Sequence, residues 1–131
     1  MPEWPEIKRF QMKFREFVAE RDWDQFHTPK NLAMALAGEV GELLEHFQWL
    51  TAEQSETLSP EQLEAVAHEI ADVHIYLAAL SDRLGIEVGP AVEEKMKLNA
   101  EKYPPEWVRG SSAKYTAYQE PSGATGQREQ K

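Results

Sequence analysis

TPKNLAMALAGEVGELLEHFQWL, from Thr28 to Leu50, decides the fold. Thr28 suits an N-cap and Pro29 the first helical position, where the missing N–H is one the helix would leave unpaired anyway. Beyond them Leu32, Ala33, Leu36, Val40, Leu43, Leu44 and Phe47 recur at three- and four-residue intervals, the period of one helix face. The spacing predicts a helix running to about Leu50. Within it Glu39-Val40-Gly41-Glu42 puts two carboxylates on one face, one turn apart. Gly38 precedes that step and Gly41 lies inside it, although each costs a helix about 1 kcal/mol relative to Ala. Small residues there let a ligand or a neighbouring helix come close.

A second acidic step, Glu69-Ile70-Ala71-Asp72, lies in another long helix. That helix starts at Ser59-Pro60-Glu61-Gln62, with Ser as N-cap and Gln in the capping-box position. It runs to about Leu84, where Gly85 suits the C-terminal cap. Acidic residues three apart most often mark a solvated face. Here both steps are embedded among apolar or small neighbours: Ala37 and Gly38 for the first, Ile70, Ala71 and Val73 for the second. Four such carboxylates facing one another repel unless a cation sits between them. Oxygen-only ligands suit a hard divalent cation. Glu39, Glu42, Glu69 and Asp72 therefore predict a Mg²⁺ site between two helices, and with it phosphate chemistry.

Helical arithmetic extends this face. Four and seven residues beyond Glu42 stand His46 and Trp49, and Tyr76 continues the face of Glu69 and Asp72. An aromatic shelf beside a metal site offers stacking for a planar base, at roughly 1–3 kcal/mol per base. Core packing is the competing role for Trp49 and Tyr76. Lys95, Asn99 and Lys102, spaced four and three apart, form a donor-bearing face able to hold phosphate oxygens. A solvated helix end with Lys favoured by the helix dipole is the competing reading there.

The remaining chain completes an all-α architecture, a bundle of four main helices. Pro5 to about Arg21 forms the first, through Ile7, Phe10, Phe14, Phe17 and Val18. Trp23 to His27 has no helical period, and Thr51 to Leu58 reads as a polar loop. Gly89-Pro90 opens the fourth helix, which ends near Lys102, before Tyr103-Pro104-Pro105. No stretch reads as a strand. Residues 1–110 are expected to form one domain and 111–131 a tail, disordered from Pro121 to Lys131.

The totals narrow the function classes. A net charge of −9 over 131 residues argues against a nucleic-acid polymer as partner, which needs a basic surface. It does not exclude a nucleotide, because bound metal inverts the local field. No apolar run reaches membrane-spanning length, and Met1-Pro2-Glu3-Trp4 lacks a signal-peptide pattern. With no cysteine, disulfides and thiolate metal sites are excluded. A cytoplasmic location is the expectation.

These residues together resemble a family. Glu-x-x-Glu, a spacer of 26 residues from Leu43 to His68, then Glu-x-x-Asp is the pattern of the all-α nucleoside triphosphate pyrophosphohydrolases, the MazG-like group. The wider sequence is most similar to its dCTP pyrophosphatase branch. The likeness is carried by Ala19 to His27, Gly38 to Leu43, Phe47-Gln48-Trp49, Glu69 to Val73 and Ile75-Tyr76-Leu77. Lys95-Met96, Asn99, Lys102-Tyr103-Pro104 and Ser111 to Tyr115 extend it.

The resemblance implies cleavage of a nucleoside triphosphate between the α and β phosphates. The products are the monophosphate and pyrophosphate, and the role is clearance of aberrant nucleotides or control of dCTP. It implies a homotetramer, a dimer of dimers with sites at subunit boundaries. Glu39, Glu42, Glu69 and Asp72 would ligate Mg²⁺. Trp23, His27, Trp49 and Tyr76 would surround base, sugar and phosphates, and Lys95, Asn99 and Lys102 would reach the phosphate tail. Two departures stand out: Phe14 replaces a substrate-contacting histidine of vertebrate members, and the loop from Thr51 to Leu58 is shorter.

A carboxylate incompletely used by the metal, Glu42 first and Glu45 second, is expected to take the proton of the attacking water. Rival readings are a dUTPase or phosphoribosyl-ATP pyrophosphohydrolase of the same superfamily, a helical adaptor without activity, and a di-iron bundle. The last wants Glu-x-x-His steps, and none is present.

Overall fold

The computed structural model describes residues 4–110. All regular structure among them is helical: α1 (Pro5–Glu20), α2 (Pro29–Glu45), α3 (Ala52–Ser55), α4 (Pro60–Leu84), α5 (Val88–Lys102) and α6 (Pro105–Val108). A single 3₁₀ turn, Asp24–Phe26, lies between α1 and α2. The expected tail, with Ser111 to Tyr115 and the stretch from Pro121, lies outside the described residues. The chain divides into two compact units, one of residues 3–88 and the other beginning at Gly89.

In the first unit α4 is the central element, and both α2 and α1 pack on it. Its start follows from local chemistry. Ser59 accepts from the Gln62 N–H while the Gln62 side chain accepts from the Ser59 N–H, so two orphan donors are satisfied at once. It ends at Gly85 in the left-handed region (φ 67°). A Cβ there would meet no neighbour, so the backbone conformation, not space, makes glycine suitable. Thr28 caps α2 by accepting from the Asn31 N–H at 3.2 Å.

The apolar interior of the described chain is small. Val18, Leu32, Val66, Ala78 and Ala79 are its buried hydrophobic residues among those described. Where α1 meets α4, the buried Gln11 donates from Nε2 to the Ala78 carbonyl oxygen at 3.1 Å. A buried amide must find such a partner, and this one sets the register of the two helices. At the surface of the same seam Arg15 forks onto Asp82, with Nε 2.7 Å from Oδ2 and Nη2 on Oδ1. Lys8 pairs with Glu87 at 2.8 Å.

Two boundaries differ from the sequence reading. The helix expected to reach Leu50 ends at Glu45. Its last turn tightens, with the N–H groups of His46 and Phe47 donating to the carbonyls three residues back. The reason lies just downstream. Thr51 is the extended N-cap of α3 (ψ 165°) and forms a capping box with Gln54, so the chain must leave the α2 path before it. The expected loop from Thr51 to Leu58 accordingly contains a helical turn, and its Thr51-x-x-Gln54 signal was present in the sequence.

In the second unit α5 carries Lys95, Asn99 and Lys102 as expected, the two lysines exposed and Asn99 half-buried. The turn α6 after Pro104 was not anticipated. Its Pro105 occupies the first helical position.

Candidate active site

The seam of α2 and α4 gathers the acidic residues. Carboxylate oxygens of Glu39, Glu69 and Asp72 all lie within 4.8 Å of one another, and all three residues are half-buried. The packing of α2 on α4 brings Glu39 opposite the Glu69/Asp72 step. Glu39 Oε2 is buried with no hydrogen-bond partner, a state that normally costs about 1–3 kcal/mol or more for a charged group. The Glu39 carboxyl is pushed above its ordinary value. Burial is the main cause, followed by the negative charges of Asp72, Glu42 and Glu69. An orphaned oxygen among three convergent carboxylates fits a hard divalent cation, whose ligand shell would satisfy it.

Glu42 is exposed and stands apart from the three convergent oxygens, yet it is near enough to raise Glu39. Glu45 is the last residue of α2 and is also exposed.

The aromatic residues join this cluster at Tyr76. Its phenol is pushed up by burial first and then by the charges of Glu39 and Asp72, so it borders the carboxylates. Its ring meets Phe14 edge-on at 5.8 Å between centroids. Phe14 in turn stacks on His27 at 5.6 Å and on Phe17 at 6.0 Å. Phe17 meets Trp23 edge-on at 5.8 Å and carries the Arg21 guanidinium over its face at 3.8 Å. Three of the expected base-contacting residues, Trp23, His27 and Tyr76, thus belong to one aromatic array. Phe14 and Phe17 link them; the sequence reading placed Phe17 only in the apolar face of the first helix, and Phe14 there and at the position of a substrate-contacting histidine in vertebrate members. Their signal was the aromatic character of both positions on that face.

The loop bearing Trp23 and His27 is anchored at several points. Asp22 takes a left-handed conformation (φ 54°), which Asp tolerates better than most residues. Asn31 donates to the Phe26 carbonyl at 2.8 Å, and Arg83 of α4 reaches Asp24 at 3.1 Å. Beside the array lies a cavity of about 280 Å³. Phe14, His27, Val18, Leu32 and Ala79 line it together with Arg15, Asp82, Asp24 and Arg83.

Trp49 is not brought to this array. With the helix ending at Glu45, its side chain is 85% exposed. His46 does stay with the site: its Nε2 lies 3.4 Å from Glu69 Oε2.

The fold and site define an all-helical protein with a carboxylate cluster at a two-helix seam and an aromatic array alongside. The chain belongs to the MazG-like family, whose pattern matches residues 35–117. It is 45% identical over 123 residues to dCTP pyrophosphatase 1 of Bos taurus, covering 92% of this chain and 72% of that protein. To dCTP pyrophosphatase 1 of Homo sapiens it is 46% identical over 114 residues, covering 86% of this chain and 67% of that one. Its fold matches the crystal structure of a pyrophosphatase from Archaeoglobus fulgidus with a TM-score of 0.66 at 42% identity. That match covers 79% of this chain and 97% of the other.

Proposed function

We propose that this nucleoside triphosphate pyrophosphatase is Mg²⁺-dependent and acts on a deoxycytidine triphosphate, dCTP or a modified dCTP. It would cut between the α and β phosphates, releasing the monophosphate and pyrophosphate. The observation that carries this reading is the contact of two chemistries at Tyr76: carboxylates with an orphaned oxygen on one side, an aromatic array on the other. A nucleotide needs both, in that order along its length. The mammalian relatives named for dCTP support the choice of base.

Glu39, Glu69 and Asp72, with Glu42 beside them, would hold the metal. When bound there, Mg²⁺ would supply positive charge against the phosphate oxygens. The exposed Glu42, its carboxylate outside the three-way convergence, would orient the attacking water and take its proton. Glu45 is second in rank. Phe14, His27 and Tyr76 would enclose the base and sugar, with Trp23 at the end of the array. Lys95, Asn99 and Lys102 are assigned the leaving pyrophosphate on the spacing of their donors.

A homotetramer is part of the proposal. Leu63, Ile70, Leu77 and Leu84 recur every seven residues along α4 and are 44–56% exposed. A heptad stripe of that kind fits a partner helix. Trp49 would then meet substrate from a neighbouring subunit. Among the described residues no helix is long and apolar enough to cross a membrane, and a cytoplasmic site of action completes the reading.

The test is pyrophosphate release from dCTP, 5-methyl-dCTP, dUTP, dTTP, dATP, dGTP and CTP, with Mg²⁺ and with EDTA. Mg²⁺-dependent release fastest with a deoxycytidine nucleotide is expected. Release led by dUTP would move the chain to the dUTPase reading, and no release from any would overturn the proposal.

A further inference from the structure

We propose that His46 is a positioning residue: its imidazole holds one oxygen of Glu69 so that the other is presented to the cation site. The inference rests on the carboxylate reading of the site above and adds a residue to it. His46 is the C-cap of α2, four residues beyond Glu42, and Glu69 lies at the middle of α4. The imidazole therefore spans the helix seam at the edge of the cluster. Its Nε2 is 3.4 Å from Glu69 Oε2, and the two side chains are only 31% and 18% exposed. With hydrogen on Nε2, the ring donates to that oxygen.

Two consequences follow from the geometry. A glutamate has three side-chain torsions, and a donor fixed on the opposite helix removes freedom that metal binding would otherwise have to remove. The bond engages Oε2, so Oε1 is the oxygen that takes no donor from His46 and the one this proposal assigns to the cation. Glu69 is thereby biased toward one-oxygen ligation. Glu39 shows the contrast, because its Oε2 is buried with no protein donor. In the cluster, then, one carboxylate is aimed by a protein donor, whereas another keeps an oxygen for the ion to satisfy.

The experiment measures Mn²⁺ binding to the metal-free protein by electron paramagnetic resonance, for wild type, His46→Leu, His46→Gln and Asp72→Asn. The melting temperature of each metal-free protein is recorded alongside. Gln can place an amide N–H near the position of Nε2, and Leu cannot. His46→Leu is expected to weaken Mn²⁺ about 10-fold, the scale typical of an outer-shell partner, and His46→Gln to recover most of that loss. KM for the nucleotide at saturating metal should stay near wild type. A purely structural role would lower the melting temperature of both variants and leave Mn²⁺ affinity alone. Should His46→Leu fail to fold, His46→Asn, whose amide is too short to reach Glu69, takes its place in the comparison. Wild-type affinity in His46→Leu with affinity lost in Asp72→Asn overturns the role of His46 and leaves the site reading standing. Equal weakening in His46→Gln and His46→Leu also overturns it. Wild-type affinity in Asp72→Asn overturns the carboxylate site itself, and this proposal with it.

Discussion

Tyr76 meets Phe14 edge-on at 5.8 Å while its phenol borders Glu39 and Asp72. This one side chain therefore joins the acidic cluster of the α2–α4 seam to the aromatic array on α1. Phe14 is the hub of that array, in ring contact with Phe17, His27 and Tyr76. Phe14→Leu keeps most of the apolar volume and loses all three ring contacts. Aromatic pairs contribute about 0.5–1.5 kcal/mol each beyond area burial. We expect KM for the nucleotide to rise several-fold, with a fall of a few degrees in melting temperature. Steady-state kinetics with thermal denaturation checks both, and an unchanged KM would remove Phe14 from the substrate wall.

The charge state of the cluster gives a pH dependence of defined sign. Glu39 has its folded-state pKa raised above the ordinary 4.5 by burial and by Asp72, Glu42 and Glu69. Between those two values the folded protein binds more protons than the unfolded chain, so stability falls as pH rises through that window. Above it the penalty is fully present. In metal-free protein at pH 7, Glu39→Gln should therefore raise the melting temperature, while Mg²⁺ should stabilise wild type and not the variant. A lower melting temperature for metal-free Glu39→Gln would contradict this account.

Turnover separates two roles within the acidic set. Asp72→Asn is expected to abolish Mg²⁺-dependent pyrophosphate release and to lose Mn²⁺ binding, with helical content intact by circular dichroism. Glu42→Gln should keep much of the metal affinity and lower kcat by about 10²–10⁴-fold, the usual contribution of a general base. Near-wild-type turnover in Glu42→Gln would hand that role to Glu45.

Trp49 distinguishes a substrate role from a packing role. At 85% exposure it contributes little to the protomer. Trp49→Ala should change folding stability of the isolated protomer by no more than about 0.5 kcal/mol. Nucleotide binding should weaken about 10-fold or more, the worth of one stacked base. If nucleotide affinity holds, Trp49 has no place at the site.

The heptad stripe on α4 predicts assembly. Replacing Leu63 and Leu84, both exposed in the protomer, by Glu puts like charges into a seam between copies. Sedimentation should show wild type as a tetramer and the double variant as a smaller species. A monomeric wild type would mean that the stripe faces solvent.

The sequence by itself determined the four long helices, though not the short turns α3 and α6, because the signals that start and stop them are local. The capping boxes, Pro at first helical positions and Gly85 beyond α4 act within a few residues of chain. The paired carboxylates were legible for the same reason, since a three-residue step on a helix needs no tertiary information. Periodicity failed at Leu50, where α2 stops at Glu45. Continuing a helix by arithmetic assumes that nothing competes for the chain, and the Thr51 cap of α3 does compete. Only the tertiary structure decided which acidic oxygens converge, leaving Glu42 on the rim and Glu39 with an orphaned oxygen. It alone placed Phe14 between His27 and Tyr76, and His46 against Glu69. Such juxtapositions depend on how α1 and α2 sit on α4, set by contacts such as Gln11 with Ala78 between residues 67 positions apart, and no local pattern in the chain records them.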